Sequence, residues 1–323
     1  MPQDPNRYAV GFDIGGTNMR AALVSGTGEI IRKISAPSPR TTEELEAGIA
    51  DLVAELNRDH VVDAVGLAVA GFLDPECETV RFAPHLPWRD APVRARLENR
   101  LKLPVRLEHD ANSAAWSEYR FGSAQGVDNW VLLAIGTGIG AALILDGEIY
   151  RGAYGTAPEF GHLRVVPNGR VCPCGKSGCL ERYCSGTALV ETALELAQTG
   201  TFTNSELLEV LRNGSGVLNG KMITTAARNR DPLGVAVMED FSTWLGECLS
   251  MVADILDPEL IVIGGGVSSD ADIYLETAVA HFSSRIVGAG YRPLARVDAA
   301  QLGSDAGLIG VADLALATVA ARA

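Results

Sequence analysis

The sequence has no run of about 20 consecutive apolar residues, the length a membrane-crossing helix needs, so no span is expected. Positive charge is scarce: 27 Lys and Arg stand against 40 Asp and Glu, a formal net charge of −13. Phosphate backbones repel such a chain, which argues against nucleic acid as a partner. The opening residues Met1-Pro2-Gln3-Asp4-Pro5-Asn6 lack the basic and apolar regions of a secretory leader. The expected location is the cytoplasm. No interdomain linker is visible either, so the two halves are expected to be joined by packed elements. The 323 residues suffice for one large or two ordinary domains, and 47% apolar with 21% charged residues is an ordinary globular balance.

Cysteine is sparse but clustered. Three of six arrive as C-x-C-x4-C at Cys172, Cys174 and Cys179, ten residues after His162. Thiolates and imidazole are the ligands Zn²⁺ prefers, and four close a tetrahedral site. Where thiols stay reduced, such clustering argues for a structural metal rather than a disulfide. Cys77, Cys184 and Cys248 read as packing residues, with Cys184 the one substitute ligand. Gly175-Lys176-Ser177 mimics the end of a phosphate-binding P-loop, but that motif needs glycine where Arg170 stands. Two glutamates bracket the cluster. Glu159 and His162, three apart, share a face of a helical turn, and Glu181 follows the last cysteine. These acids fit either a site that reads a polyhydroxylated ligand or a shell that orients the metal ligands.

Glycine is abundant and patterned. Tyr8 to Asn18 reads as a strand ending in the turn Asp13-Ile14-Gly15-Gly16-Thr17-Asn18, with a second strand after it. Asn129 to Ile144 repeats strand, glycine turn (Gly136-Thr137-Gly138-Ile139-Gly140) and strand; Gly-Glu-Ile follows both copies. This is the signature of duplicated domains. Such turns expose backbone N–H groups that can hold phosphate oxygens, and two facing turns could clamp a polyphosphate; tight hairpins also use glycine for structure alone. Helices are expected over 41–57 (capped by Thr41 or Thr42), 112–121, 238–256 and about 305–321, and buried strands over 64–70 and 260–263. Residues 82–88 read as a loop. Asp110, between a strand and a helix, is either a cap or a base presented at a strand end. Gly264-Gly265-Gly266 would let a flat ligand approach the backbone.

Taken together, Asp13-Ile-Gly-Gly-Thr-Asn18, Asp110-Ala-Asn112, Gly136-Thr-Gly138-Ile-Gly140, Glu159-x-Gly-His162 with the cysteine loop, and Gly264-Gly-Gly resemble the ROK family of sugar kinases and repressors. The likeness runs over essentially the full length and is nearest to the bacterial glucokinases. It implies an α/β fold of the actin-like ATPase (ribonuclease H-like) kind, duplicated, with two domains around a central cleft. The smaller would hold 1–118 with about 303–323, the larger 119–302. It implies transfer of the ATP γ-phosphoryl group to a hexose 6-hydroxyl, glucose first, with Mg²⁺ accompanying ATP. Asp110 would be the base. Asp13 would help place Mg²⁺, and Gly15, Gly16, Thr17, Asn18, Gly136, Thr137 and Gly138 would line the phosphates. Glu159, His162 and Glu181 would hold the sugar with His109 and Gly71 nearby, and Gly265 and Gly266 would meet the nucleoside. The family commonly has asparagine where this chain has His85 and His109, which bears on hydroxyl preference because a neutral imidazole donates only once. N-acetylhexosamine, mannose or fructose as acceptor, and polyphosphate as donor, are the alternatives. A repressor would need a DNA-binding domain, and only twelve residues precede Asp13. A homodimer or homotetramer is implied.

Overall fold

The computed structural model describes residues 4–213 and 218–320. Strands β1 (Tyr8–Ile14), β2 (Asn18–Ser25) and β3 (Ile30–Pro37) form an antiparallel meander. Helix α1 (Thr42–Leu56) leads to β4 (Val62–Val69). A small sheet follows, made of β5 (Phe72–Leu73), β6 (Val80–Phe82) and β7 (Arg89–Ala91). Then come α2 (Val93–Leu101), β8 (Val105–His109) and α3 (Asp110–Phe121). The second half has β9 (Trp130–Ile135), β10 (Ile139–Leu145) and β11 (Glu148–Tyr150), then α4 (Gly186–Ala197), α5 (Glu206–Asn213), α6 (Gly220–Arg228) and α7 (Pro232–Leu256). It closes with β12 (Leu260–Gly264), α8 (Leu275–Arg285), β13 (Arg296–Ala299) and α9 (Ala306–Ala320).

The two large sheets have the same plan. Their orders are β3-β2-β1-β4-β8 and β11-β10-β9-β12-β13. In the first, β4 runs parallel to β1 and β8; in the second, β12 runs parallel to β9 and β13. The duplication expected from the repeated glycine turns is therefore a duplication of topology. This is the mixed α/β, actin-like ATPase architecture. Contact density groups residues 1–128, 142–158 and 304–323 into one unit and 129–141 and 159–303 into another.

Alternation along the strands explains how the first unit packs, because successive side chains leave opposite faces. On β1 the large residues Val10, Phe12 and Ile14 face one way, joined by Val65, Leu67 and Val69 of β4, and pack with Leu45, Ile49, Val53 and Leu56 of α1. The opposite face is made of small residues. Ala9, Ala22 and Ala64 pack there against Leu308, Ile309, Ala312 and Leu316 of α9. The approach is backbone-close: a Cβ on Gly66 would stand 2.2 Å from the Val311 carbonyl oxygen. Helix α9 is apolar, with mean hydropathy 1.3 over Gly303–Ala320, and half of that stretch is buried within the protein.

Capping explains where helices start. Thr41 Oγ1 accepts the Glu44 N–H, as its spacing predicts. Helix α7 begins at Pro232, six residues before the expected start at 238, because Asp231 accepts from the N–H groups of Leu233 and Gly234, each at 3.0 Å, and Leu233 and Val237 extend its buried face. Helix α3 starts at Asp110 rather than Asn112. The last helix runs 306–320; residue 321 of the expected span lies outside the described residues.

Two glycines three residues apart on α9 should respond oppositely to a methyl group. At Gly310 a Cβ would meet the Ser113 carbonyl oxygen at 1.7 Å, whereas at Gly307 nothing lies within 4 Å. Gly310→Ala is expected to lose about 1–3 kcal/mol by overpacking. Gly307→Ala is expected to gain about 0.5–1 kcal/mol of helix propensity. Denaturant midpoints of the two variants check the contrast.

Candidate active site

Within the first unit, the turn between β1 and β2 is held from behind. Ser38, just past β3, donates its N–H to the Thr17 carbonyl at 2.9 Å and its hydroxyl to the Gly15 carbonyl at 2.6 Å. Gly15 N–H closes the turn onto the Asn18 carbonyl at 3.1 Å. With those carbonyls taken, the N–H groups of Gly16 and Thr17 have no hydrogen-bond partner among the described residues. They line a cavity of about 550 Å³ with Arg40 and His85. His85 rests against Gly16, where a Cβ would be 2.5 Å from its own. Its loop is fixed by Arg89, whose Nη1 donates to the carbonyls of Ala83, Leu86 and Trp88 at 2.8, 2.7 and 2.6 Å. Neither Ser38 nor Arg89 carries a motif, so both were beyond reading from the sequence.

Asp13 sits at the end of β1, opposite Arg20 on β2. Arg20 Nε donates to its Oδ2 at 3.2 Å and Nη2 donates to the same oxygen. Gly71 lies between β4 and β5, so close to β6 that a Cβ would stand 2.7 Å from the Phe82 carbonyl oxygen.

Asp110 is the first residue of α3, not its cap; His109 holds the cap position. The Asp110 carboxylate accepts the Ala111 N–H at 2.8 Å and lies 3.3 Å from His109 Nε2. It is partly exposed. Beneath it is Glu108, fully buried, bonded by Arg151 through two nitrogens, by Arg106 Nη2 at 2.9 Å and by Asn112 Nδ2 at 3.0 Å. Burial alone would raise the Glu108 pKa; the two guanidiniums and the amide override it and hold the carboxyl at about 2. Cys77, beside this pair, is pushed up to about 11 by burial and by the Glu108 charge, so it stays a packed thiol.

Within the second unit, the turn between β9 and β10 is held in an analogous way. Gly186 N–H at the start of α4 donates to the Gly136 carbonyl at 2.7 Å, and Thr187 Oγ1 to the Thr137 carbonyl at 2.8 Å. The N–H groups of Thr137 and Gly138 have no partner among the described residues. Gly136, Thr137, Thr187, Lys221, Gly266 and Asp270 line a cavity of about 1030 Å³. Gly265 is required for packing: its φ is +79° and a Cβ would meet the Ile135 carbonyl oxygen at 2.4 Å.

The four expected metal ligands converge. Donor atoms of His162, Cys172, Cys174 and Cys179 all lie within 4.8 Å of one another. Cys172 Sγ is 3.7 Å from His162 Nδ1, and Cys174 Sγ is 3.6 Å from Cys179 Sγ. Thiolates about 2.3 Å from one tetrahedral ion lie roughly 3.8 Å apart, so the donor set fits zinc. The loop closes through Gly178, whose φ is +77° and where a Cβ would fall 1.6 Å from the Val166 carbonyl oxygen. Cys184 is not part of the cluster; it is buried, and burial raises its thiol pKa well above the ordinary value. His162 Nε2 is left on the far side of the ring, 3.9 Å from Glu159. Glu181 takes the Ile139 N–H at 2.9 Å and lies over Gly138, where a Cβ would stand 2.2 Å from its oxygen. That contact explains the glycine.

The ROK family profile matches residues 9–318. A glucokinase of Streptomyces coelicolor is 40% identical over 95% of this chain and 96% of its own length. A glucokinase of Halalkalibacterium halodurans is 35% identical over 94% of each chain. Among solved structures, a ROK family glucokinase from Streptomyces griseus in complex with glucose and AMPPNP superposes with TM-score 0.82 at 41% identity, covering 95% of this chain and 99% of that one.

The Glu108 network sets an acid limit on stability. A carboxyl whose folded pKa is depressed stabilises the fold above its unfolded value near 4.5, and that contribution is lost as pH falls toward about 2. Stability is expected to decline over that window. Glu108→Gln, which leaves two partly exposed guanidiniums without their carboxylate, should cost about 1–3 kcal/mol near neutrality and flatten the acid slope. Denaturant unfolding across pH reads both effects.

Proposed function

The chain belongs to the ROK family, and on that footing we propose that it is an ATP-dependent hexokinase phosphorylating the 6-hydroxyl of glucose. The observation that carries this reading is the likeness, over nearly the whole chain, to a glucokinase that binds glucose and an ATP analogue. The pairs of unpartnered N–H groups at both glycine turns support it from the chain's own chemistry.

Phosphoryl transfer proceeds through a loose transition state, so alignment and charge neutralisation matter more than covalent help. In the first unit, Asp110 accepts the proton of the 6-hydroxyl, and His109, 3.3 Å from it, is placed to meet a neighbouring hydroxyl. Gly16 and Thr17 present N–H groups to phosphate oxygens. In the second unit, Thr137 and Gly138 do the same, and the cavity they share with Gly266 takes the nucleoside. Glu159, His162 and Glu181 hold sugar hydroxyls; the imidazole offers Nε2, since Nδ1 is turned to the cysteines. Mg²⁺ accompanies ATP near Asp13 and supplies neutralisation of phosphate charge. His162, Cys172, Cys174 and Cys179 would hold Zn²⁺, which would brace the loop bearing the sugar ligands. A cytoplasmic location and a homodimer or homotetramer complete the reading, the latter checked by light scattering.

A coupled assay against glucose, mannose, fructose and N-acetylhexosamines, each with ATP and with polyphosphate, tests the activity. Glucose with ATP should give the highest kcat/KM, and equal rates on all acceptors would overturn the assignment. Asp110→Asn is expected to lose about 10²- to 10⁴-fold in kcat while glucose still binds by calorimetry. Cys174→Ser should lose metal and glucose affinity together; a metal-free variant with unchanged glucose affinity refutes the brace.

A further inference from the structure

Arg20 had no role in the sequence reading, yet it is the best-connected side chain near the first glycine turn. It stands opposite Asp13 in the β1–β2 ladder, so both side chains leave the same face. Its Nε and Nη2 both go to one oxygen of Asp13, Oδ2. The other oxygen, Oδ1, has no partner among the described residues. Arg20 is itself fixed: Nη2 donates to the Ser304 carbonyl at 2.8 Å, and Nη1 lies 3.6 Å from Asp305. Lys33 Nζ then bonds both oxygens of Asp305 at 2.9 and 2.8 Å. Charges of alternating sign therefore run Asp13, Arg20, Asp305, Lys33 across β1, β2, the turn just before α9 and β3.

We propose that Arg20 is a positioning residue for the phosphoryl-transfer step. It commits Oδ2 of Asp13 and thereby fixes Oδ1 as the oxygen offered to the divalent cation that travels with ATP. The inference rests on the Asp13 assignment above. Two physical points favour it over a plain surface ion pair. The side chains of Arg20 and Asp13 are about one-third exposed (34% and 31%), and pairs so open to water contribute little to stability. A fork that uses one carboxylate oxygen twice also sets the carboxylate plane while sparing the second oxygen, which a point charge on a flexible stem does not do. Arg20 acts through Asp13 and needs no contact with substrate.

The test titrates Mg²⁺ at saturating ATP and glucose for Arg20→Gln, Arg20→Lys, Asp13→Asn and the double variant Asp13→Asn/Arg20→Gln. Arg20→Gln is expected to lower kcat about tenfold and to raise the Mg²⁺ concentration for half-maximal rate, with little change in glucose KM. Arg20→Lys should recover part of the loss. In the Asp13→Asn background, Arg20→Gln should change kcat by less than about twofold, since the group it positions is gone. Wild-type kcat and Mg²⁺ dependence in Arg20→Gln would overturn the inference. So would a lower Mg²⁺ requirement, which would make Arg20 a competitor rather than a positioner, or an equal loss with and without Asp13. If Asp13→Asn alone behaves as wild type, the Asp13 assignment falls. If it is impaired while Arg20→Gln is not, only the inference falls.

Discussion

A peptide unit has a donor and an acceptor pointing opposite ways, and the candidate site is built on that constraint. Each glycine turn has its carbonyls consumed by a neighbouring element: Ser38 behind the first, Gly186 and Thr187 behind the second. Fixing the carbonyls of Gly15, Gly136 and Thr137 fixes, across the same peptide planes, the N–H groups of Gly16, Thr137 and Gly138. Glycine is needed because the same spaces hold other atoms, the His85 side chain at Gly16 and the Glu181 carboxylate at Gly138. Preorganised donors of this kind lose nothing to reorientation when an anion arrives, which is what phosphoryl transfer demands of its surroundings. The duplicated sheet makes the arrangement twice from one topological plan.

Charge burial is the second organising cost. Glu108 is the most deeply buried carboxylate near Asp110, and an unpaired charge there would be untenable. Arg151 and Arg106 supply the compensation, and Asn112 on the first turns of α3 shares it. The strand end carrying His109 and Asp110 is thereby tied to the helix after it and to the 142–158 segment. Asp110 itself stays outside the network and reaches water. The buried carboxylate ties the backbone down, and its neighbour Asp110 is left partly exposed.

Much of the fold was legible because its signals are local or periodic. The glycine turns, the cysteine spacing, the Thr41 cap and the repeated strand-turn-strand could be read residue by residue, and His162, Cys172, Cys174 and Cys179 converge as their spacing implies. Non-local partners were not legible. Glu108 reads as one more residue in a short strand until Arg151, 43 positions later, is seen to bond it. Arg20 looks like a polar interruption in β2, and only the ladder register places it on Asp13. Ser38 and Arg89 act through carbonyl groups, which every residue has, so no side-chain pattern could announce their targets. The start of α7 is a different case: Leu233 and Val237 already belong to the apolar stripe, four residues apart in step with Phe241, behind the cap and proline at Asp231-Pro232.

The cysteine loop and the second glycine turn are one mechanical unit, not two. Cys179 is fully buried and lies in the cluster it forms with His162, Cys172 and Cys174. Leu180 N–H bonds the Leu163 carbonyl, one residue past His162, so the chain leaves the ligand cluster already anchored. Two residues beyond Cys179, Glu181 closes on the Ile139 N–H and covers Gly138. Five residues further, Gly186 takes the Gly136 carbonyl. Thus residues 179–187 run from the cysteine cluster to both sides of the turn that lines the larger cavity. Glu181 cannot swing out toward a hydroxyl without releasing the Ile139 N–H, so its reach is limited to its second oxygen. What fixes the cysteines therefore fixes the acid beside them, and through it the backbone donors of the turn.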